Sequence, residues 1–81
     1  MKIPRDLSGL ELSKQLAIFG YQITRRTGSH IRLTTITNGV QHITIPAHDP
    51  LKIGTLSAIL SSVSAHFGIT RSELVELLFS R

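Results

Sequence analysis

Four histidines, His30, His42, His48 and His66, and the arginines Arg25, Arg26 and Arg32 are the side chains whose types could do chemistry. An imidazole titrates near neutral pH, so it can both take and give a proton, and a guanidinium holds phosphate oxygens through paired N–H donors. Together they suit contact with a phosphate, or are no more than the solvated charge of an exposed surface. Other chemistries lack their residues. Cysteine is absent, which removes thiolate metal sites, disulfides and thiol nucleophiles. A convergence of His30, His42, His48 and Asp49 on a metal has no His-x-x-x-His or Glu-x-x-His spacing to support it. No Gly-x-Ser-x-Gly elbow occurs, and phosphate-loop and dinucleotide glycine patterns are missing.

The elements that must position these residues can be read from periodicity. Ser8-Gly9-Leu10-Glu11 is a capping box, opening a first helix from about Gly9 to Phe19. Leu12, Leu16 and Phe19 form its apolar stripe, Lys14 and Gln15 its wet side, and Gly20 its stop. The period then becomes two, predicting a strand whose apolar face starts with Tyr21 and Ile23. After a short turn at Thr27-Gly28, a second strand runs from Ser29 to about Thr37, with Ile31 and Leu33 facing the core. Asn38-Gly39 predicts a type I′ hairpin turn. A third strand, Val40 to Ile45, turns Ile43 and Ile45 inward before Pro46 ends it. Ile36 breaks the parity of the second strand, which predicts a bulge near the hairpin tip.

Pro46 to Gly54 is then a loop, and Thr55 caps a second helix with the stripe Leu56, Ile59, Leu60, Val63 and Phe67. Gly68 stops it. A second capping box, Thr70-Arg71-Ser72-Glu73, opens a last helix with Leu74, Leu77 and Leu78. The order is α-β-β-β-α-α, an α+β fold with a three-stranded antiparallel meander and its helices on one face. At 81 residues one domain is expected, burying about 60–65% of the surface the unfolded chain exposes.

Parity decides which side chains the sheet shows to solvent. With Ile31 and Leu33 inward, His30, Arg32 and Thr34 point outward, as do His42 and Thr44 on the third strand and Thr24 and Arg26 on the first. One face would carry His30, Arg32, His42 and Arg26 together. Any half-solvated antiparallel sheet has a polar outer face, so position alone does not make this one a site. His42 reads as an exposed strand residue beside a turn. His66, in the last turn of the second helix, reads as structural, a cation suited to the helix dipole. Lys52-Ile53-Gly54-Thr55 sets a lysine and an approachable backbone at a helix start, where free amides favour anions. Gly54 could equally serve only the turn.

Nine Lys and Arg against five Asp and Glu leave a formal charge of +4 and a pI of about 10.4. That favours polyanions, nucleic acid first, or an acidic protein partner. The 41% hydrophobic and 17% charged composition is that of a globular protein rather than a disordered tail. The charged start, Met1-Lys2-Ile3-Pro4-Arg5-Asp6, and the lack of a long apolar run predict neither a targeting segment nor a membrane span. With no cysteine, a reducing cytoplasm is the expected location.

Several segments occur in a recognisable order: Leu7-Ser8-Gly9-Leu10-Glu11-Leu12, Phe19-Gly20-Tyr21, Gly28-Ser29-His30, Ile45-Pro46-Ala47-His48 and Leu51-Lys52-Ile53-Gly54-Thr55-Leu56. Together they resemble the HicA family of bacterial type II toxins over nearly the whole chain. The resemblance implies a fold similar to double-stranded-RNA-binding domains and an mRNA endoribonuclease that works without the ribosome. It implies a HicB antitoxin as partner, which binds the toxin and covers its active site, with no cofactor and no DNA bound by the toxin alone; no membrane partner is expected. It makes the histidine of Gly-Ser-His, His30, the catalytic residue. The chain departs from the family at Ser57, where many members are more basic, and over Ser61–Phe67, which is longer and less charged, and these differences bear on RNA affinity and preference.

On that reading the RNA 2′-hydroxyl attacks the adjacent phosphorus without an obligatory metal. His30 serves as general base, or as acid for the leaving 5′-oxygen, and His48 is a possible second proton group. Arg26, Arg32 and Lys52 are candidates to hold the developing phosphorane charge. With Ser29, Gly54 and Thr55 they make the expected RNA-binding set. The rival reading is a non-catalytic RNA-binding module using the same basic face, with salt-dependent binding and no cleavage. A third is a protein-interaction domain whose basic face docks an acidic partner.

Overall fold

A computed structural model describes residues 3–80. Met1 and Lys2 of the charged start lie outside the described residues, as does Arg81. The first capping box forms as the sequence predicts: Glu11 N–H donates to Ser8 Oγ at 3.0 Å, and Ser8 N–H donates to Glu11 Oε1 at 2.9 Å. The bond from the Ser8 backbone holds the Glu11 carboxyl below the usual carboxylate range. Helix α1 (Gly9–Gln15) then tightens into a 3₁₀ turn, Leu16–Phe19, which Gly20 ends at φ +85°. Glycine is required at 20 on two counts, since a Cβ there would also stand 2.6 Å from Thr37 Oγ1 and 3.0 Å from Thr35 Oγ1.

Strands β1 (Gln22–Thr27), β2 (His30–Thr35) and β3 (Gln41–Pro46) form an antiparallel sheet in the order β1-β2-β3. Helices α2 (Ile53–Phe67) and α3 (Arg71–Phe79) follow, bent 104° from one another. The order is α-β-β-β-α-α, as expected. Neither helix is long and apolar enough to cross a membrane. Helices α1 and α2 lie over β2 and β3, so Ile31, Leu33, Ile43 and Ile45 are buried against Leu12, Leu16, Leu56, Ile59, Leu60 and Val63. Buried polar side chains find partners: Ser13 Oγ donates to Gly9 O at 2.8 Å and Thr35 Oγ1 to Phe19 O at 2.9 Å. Burying these without a bond would carry the full desolvation penalty.

Several local expectations are corrected. The bulge lies in β1 and not near Ile36: Ile23 pairs with Leu33 and Arg25 with Arg32, which leaves Thr24 without a rung of its own. Ile23 does take the helix-facing side, yet it stays 47% exposed because β1 is an edge that the helices do not cover. The β2–β3 connection is a five-residue loop, Ile36 to Val40, and not a two-residue turn. Asn38 and Gly39 have the expected positive φ, at 59° and 98°. The loop's polar groups, however, bond helix α2. Asn38 Nδ2 donates to His66 O at 2.9 Å, and His66 Nε2 meets Thr37 O at 3.0 Å. His66 is structural, as expected, but as a clasp on the hairpin tip.

Helix α2 starts at Ile53, so its N-cap is Lys52 and not Thr55; no side chain caps it. Helix α3 has the predicted Thr70–Glu73 capping box. It buries Leu74, Val75 and Leu78 and leaves Leu77 57% exposed, because the short helix meets the core along one narrow stripe.

Candidate nucleic-acid interface

The segment Gly28-Ser29-His30 is built by the β1–β2 turn. Thr27 pairs with His30, so Gly28 and Ser29 are the two central residues. The positive φ falls on Gly28 alone, at 52°, the pattern of a turn that demands glycine first and accepts serine second. His30 is thus the first residue of β2, exposed, at the end of the outer face. Ala47 N–H donates to Ser29 O at 2.6 Å, which runs the connector after β3 beside this turn. His48 follows one residue later, exposed, its carbonyl accepting Gly9 N–H at 2.9 Å. The structure therefore brings the backbones of Ser29, His30 and His48 to one end of the sheet.

Along the outer face, His30 stands across from Pro46, Arg32 from Thr44 and Thr34 from His42. The bulge changes which arginine joins them. Arg25 takes the rung of Arg32, whereas Arg26 takes the rung of the buried Ile31 and belongs to the helix-facing side of the edge. The expected grouping of Arg26 with His30 and Arg32 is replaced by Arg25 with both. Strand parity put Arg26 and not Arg25 on this face because a bulge at Ile23-Thr24-Arg25 carries no glycine to mark it.

The face is ordered by hydrogen bonds. Thr24 Oγ1 and Thr34 Oγ1 are bonded at 2.9 Å, and Thr34 Oγ1 meets His42 Nδ1 at 2.8 Å, a chain across all three strands. His42 is more than the plain exposed residue its position suggested, since this bond fixes its ring. It lies four residues along β2 from His30, roughly 13 Å at the rise of a strand, too far to share one proton transfer.

Electrostatically the face is one-sided. No Asp or Glu occurs from Leu12 to His48, a stretch that includes all three strands. Arg25 and Arg32, directly opposite, have no carboxylate on the sheet to relieve them. Like charges so placed are destabilising, and an arriving polyanion removes that penalty. Among the described residues no three His, Asp or Glu side chains gather closely enough to hold a metal ion.

Lys52, Gly54 and Thr55 stand at the start of α2. Gly54 does not have a positive φ, and a Cβ on it would meet nothing within 4 Å, so the turn does not require glycine there. Lys52 lines a cavity that no strand residue lines. The structure thus brings Ser29, His30 and Arg32 to the sheet and its turn, and sets Lys52, Gly54 and Thr55 on a separate element.

A family model described as the HicA toxin of bacterial toxin-antitoxin matches residues 9–63. The chain belongs to the HicA toxin family. The match runs from the first residue of α1 to Val63 in α2, so it contains the Gly28-Ser29-His30 turn and the whole outer face. Membership makes this HicA chain a toxin of a toxin–antitoxin system, with an antitoxin as its partner. No curated protein and no solved structure matches the chain.

Proposed function

We propose that this HicA-family toxin is a metal-independent mRNA endoribonuclease of the cytoplasm, neutralised by a HicB-type antitoxin. The observation that carries the reading is the place of His30. It is an exposed imidazole at the end of a carboxylate-free sheet face, two residues from Arg32 and in the same group as Arg25.

The reaction needs little more than this. The 2′-hydroxyl of RNA is the nucleophile, and a positioned imidazole takes its proton or protonates the leaving 5′-oxygen. Arg25 and Arg32 supply fixed positive charge for the phosphorane, in place of the Arg26 and Arg32 pair that strand parity suggested. Ser29, in the turn beside His30, is a further candidate to contact the phosphate. His48, on the connector that Ala47 ties to Ser29, is the nearest candidate for the second proton group. Lys52 with the Gly54 and Thr55 amides offers further phosphate contacts outside the sheet.

The test is cleavage of mixed-sequence single-stranded RNA by purified protein in EDTA, beside His30→Ala. The substitution should lower cleavage by about 10²–10⁴-fold and leave the circular dichroism and melting curve unchanged. Salt-dependent RNA binding without cleavage by the folded wild type would establish the non-catalytic module instead.

A further inference from the structure

The molecule has a second cationic surface, away from the strands. A cavity of about 660 Å³ lies between the segment before α1, the end of the β3–α2 connector and the starts of α2 and α3. Among the described residues three cations line it, from three different parts of the chain, Arg5, Lys52 and Arg71, against one carboxylate, Asp6. Two of them stand at positive helix ends. Lys52 is the N-cap of α2, whose first turn has no acidic residue, and Arg71 is the first residue of α3. The acid in the first turn of α3, Glu73, is committed to Thr70 N–H at 3.0 Å. Cations at such ends are unfavourable in the free protein, and an anion brought between them is favoured by both dipoles and all three side chains.

The floor decides what kind of anion fits. Ile3, Leu7 and Leu56 line the cavity, and Ile53 stands 86% exposed at its edge. A phosphate backbone can use Lys52 at the rim but gains nothing from the apolar walls, whereas a carboxylate-bearing segment with a large apolar side chain satisfies walls and rim together. The outer sheet face has the opposite character, polar and cationic without an apolar floor. We infer that this cavity is a docking site for the antitoxin, taking an acidic segment that anchors an apolar side chain against Ile53 and Leu56 between Arg5, Lys52 and Arg71. The inference rests on membership of a toxin–antitoxin family and not on the ribonuclease chemistry.

The test measures binding of the full chain to its antitoxin, in the His30→Ala background, so that a failed catalytic assignment leaves the result readable. Arg5→Glu/Arg71→Glu should weaken binding about tenfold or more, steeply with salt, and Ile53→Asp should do the same. In an otherwise wild-type chain, Arg5→Glu/Arg71→Glu should leave RNA cleavage unchanged. Hydrogen exchange on the complex should show protection of residues 3–7 and 53–57. Unchanged affinity in both variants, or protection confined to the strands, overturns the proposal. So does loss of RNA binding with antitoxin binding intact, which would make the cavity part of the RNA path.

Discussion

Arg25 stands directly across the sheet from Arg32, and the bulge at Thr24 is what puts it there. Without the bulge Thr24 would hold that rung, and Arg26 would stand across from His30. Under the proposed function the two guanidiniums hold a phosphate between them, and their pairing costs little in the free protein, about 0.2–1 kcal/mol for a cross-strand like-charge pair.

The two neighbouring arginines should therefore behave differently. Arg25→Gln should weaken RNA binding and lower the slope of log affinity against log salt by about 0.7–1, the share of one phosphate contact. It should leave stability unchanged or slightly raised. Arg26→Gln, on the helix-facing side, should do much less. Fluorescence anisotropy with a labelled RNA across a salt series separates them, and equal effects would place both arginines on the RNA.

The limits of reading the sequence lie in the same residues. Capping boxes at Ser8–Glu11 and Thr70–Glu73 are local chemistry, and both form as read. The alternation of β2 and β3 survives because one side of each is pressed on helices, so His30 and Arg32 take the face that parity assigns them. Strand β1 has no such constraint. Its six residues are all exposed, so hydrophobicity does not hold its register, and one unpaired threonine exchanges the faces of Arg25 and Arg26. The loop at Asn38-Gly39 was misjudged for another reason: its partner, His66, is far along the chain, and short-range turn preferences contain no trace of it.

Gly9 is the clearest case of a residue whose role only the packing shows. A Cβ there would run into the carbonyl oxygen of Pro46 and stand 2.9 Å from its carbon, backbone that cannot swing aside. Gly9→Ala should cost about 1–3 kcal/mol, read as a fall in Tm of roughly 4–8 °C per kcal/mol. Because Pro46 pairs with His30, the same substitution should disturb the His30 end of the sheet and, under the proposed function, lower RNA cleavage at temperatures where the protein is still folded. A melting curve identical to wild type would show that α1 is free to move off the sheet.

Gly54 invites the opposite substitution. It lies exposed in the first turn of α2 with open space where a Cβ would go, so Gly54→Ala should stabilise the protein by up to about 0.5–1 kcal/mol. If the small residue is there to let a phosphate reach the backbone amides, the more stable variant should bind RNA less well. Thermal melts and RNA titrations on the same preparation read both. A gain in stability with unchanged RNA affinity removes Gly54 from the interface.

Tyr21 is the only tyrosine of the chain, and burial pushes its phenol up to about 12. Its hydroxyl donates to Gln41 Oε1, whose amide in turn donates to Ser62 O at 3.3 Å, and its ring meets Phe67 edge-on at 6.1 Å. The charged form is the one that burial penalises, so the folded state keeps the proton longer than the unfolded chain does. Below the ordinary phenol value of 10.0 both states are protonated and pH has no effect through this group. As pH rises from there toward about 12, the unfolded chain ionises first, and stability falls across that window. Ultraviolet absorbance of the tyrosinate should show a midpoint near 12 in the folded protein and near 10 in denaturant. Chemical denaturation repeated through the window should show the midpoint declining in the wild type and less in Tyr21→Phe. A folded protein that ionises near 10 without losing stability would mean that the phenol reaches solvent and that the contact with Gln41 is not maintained.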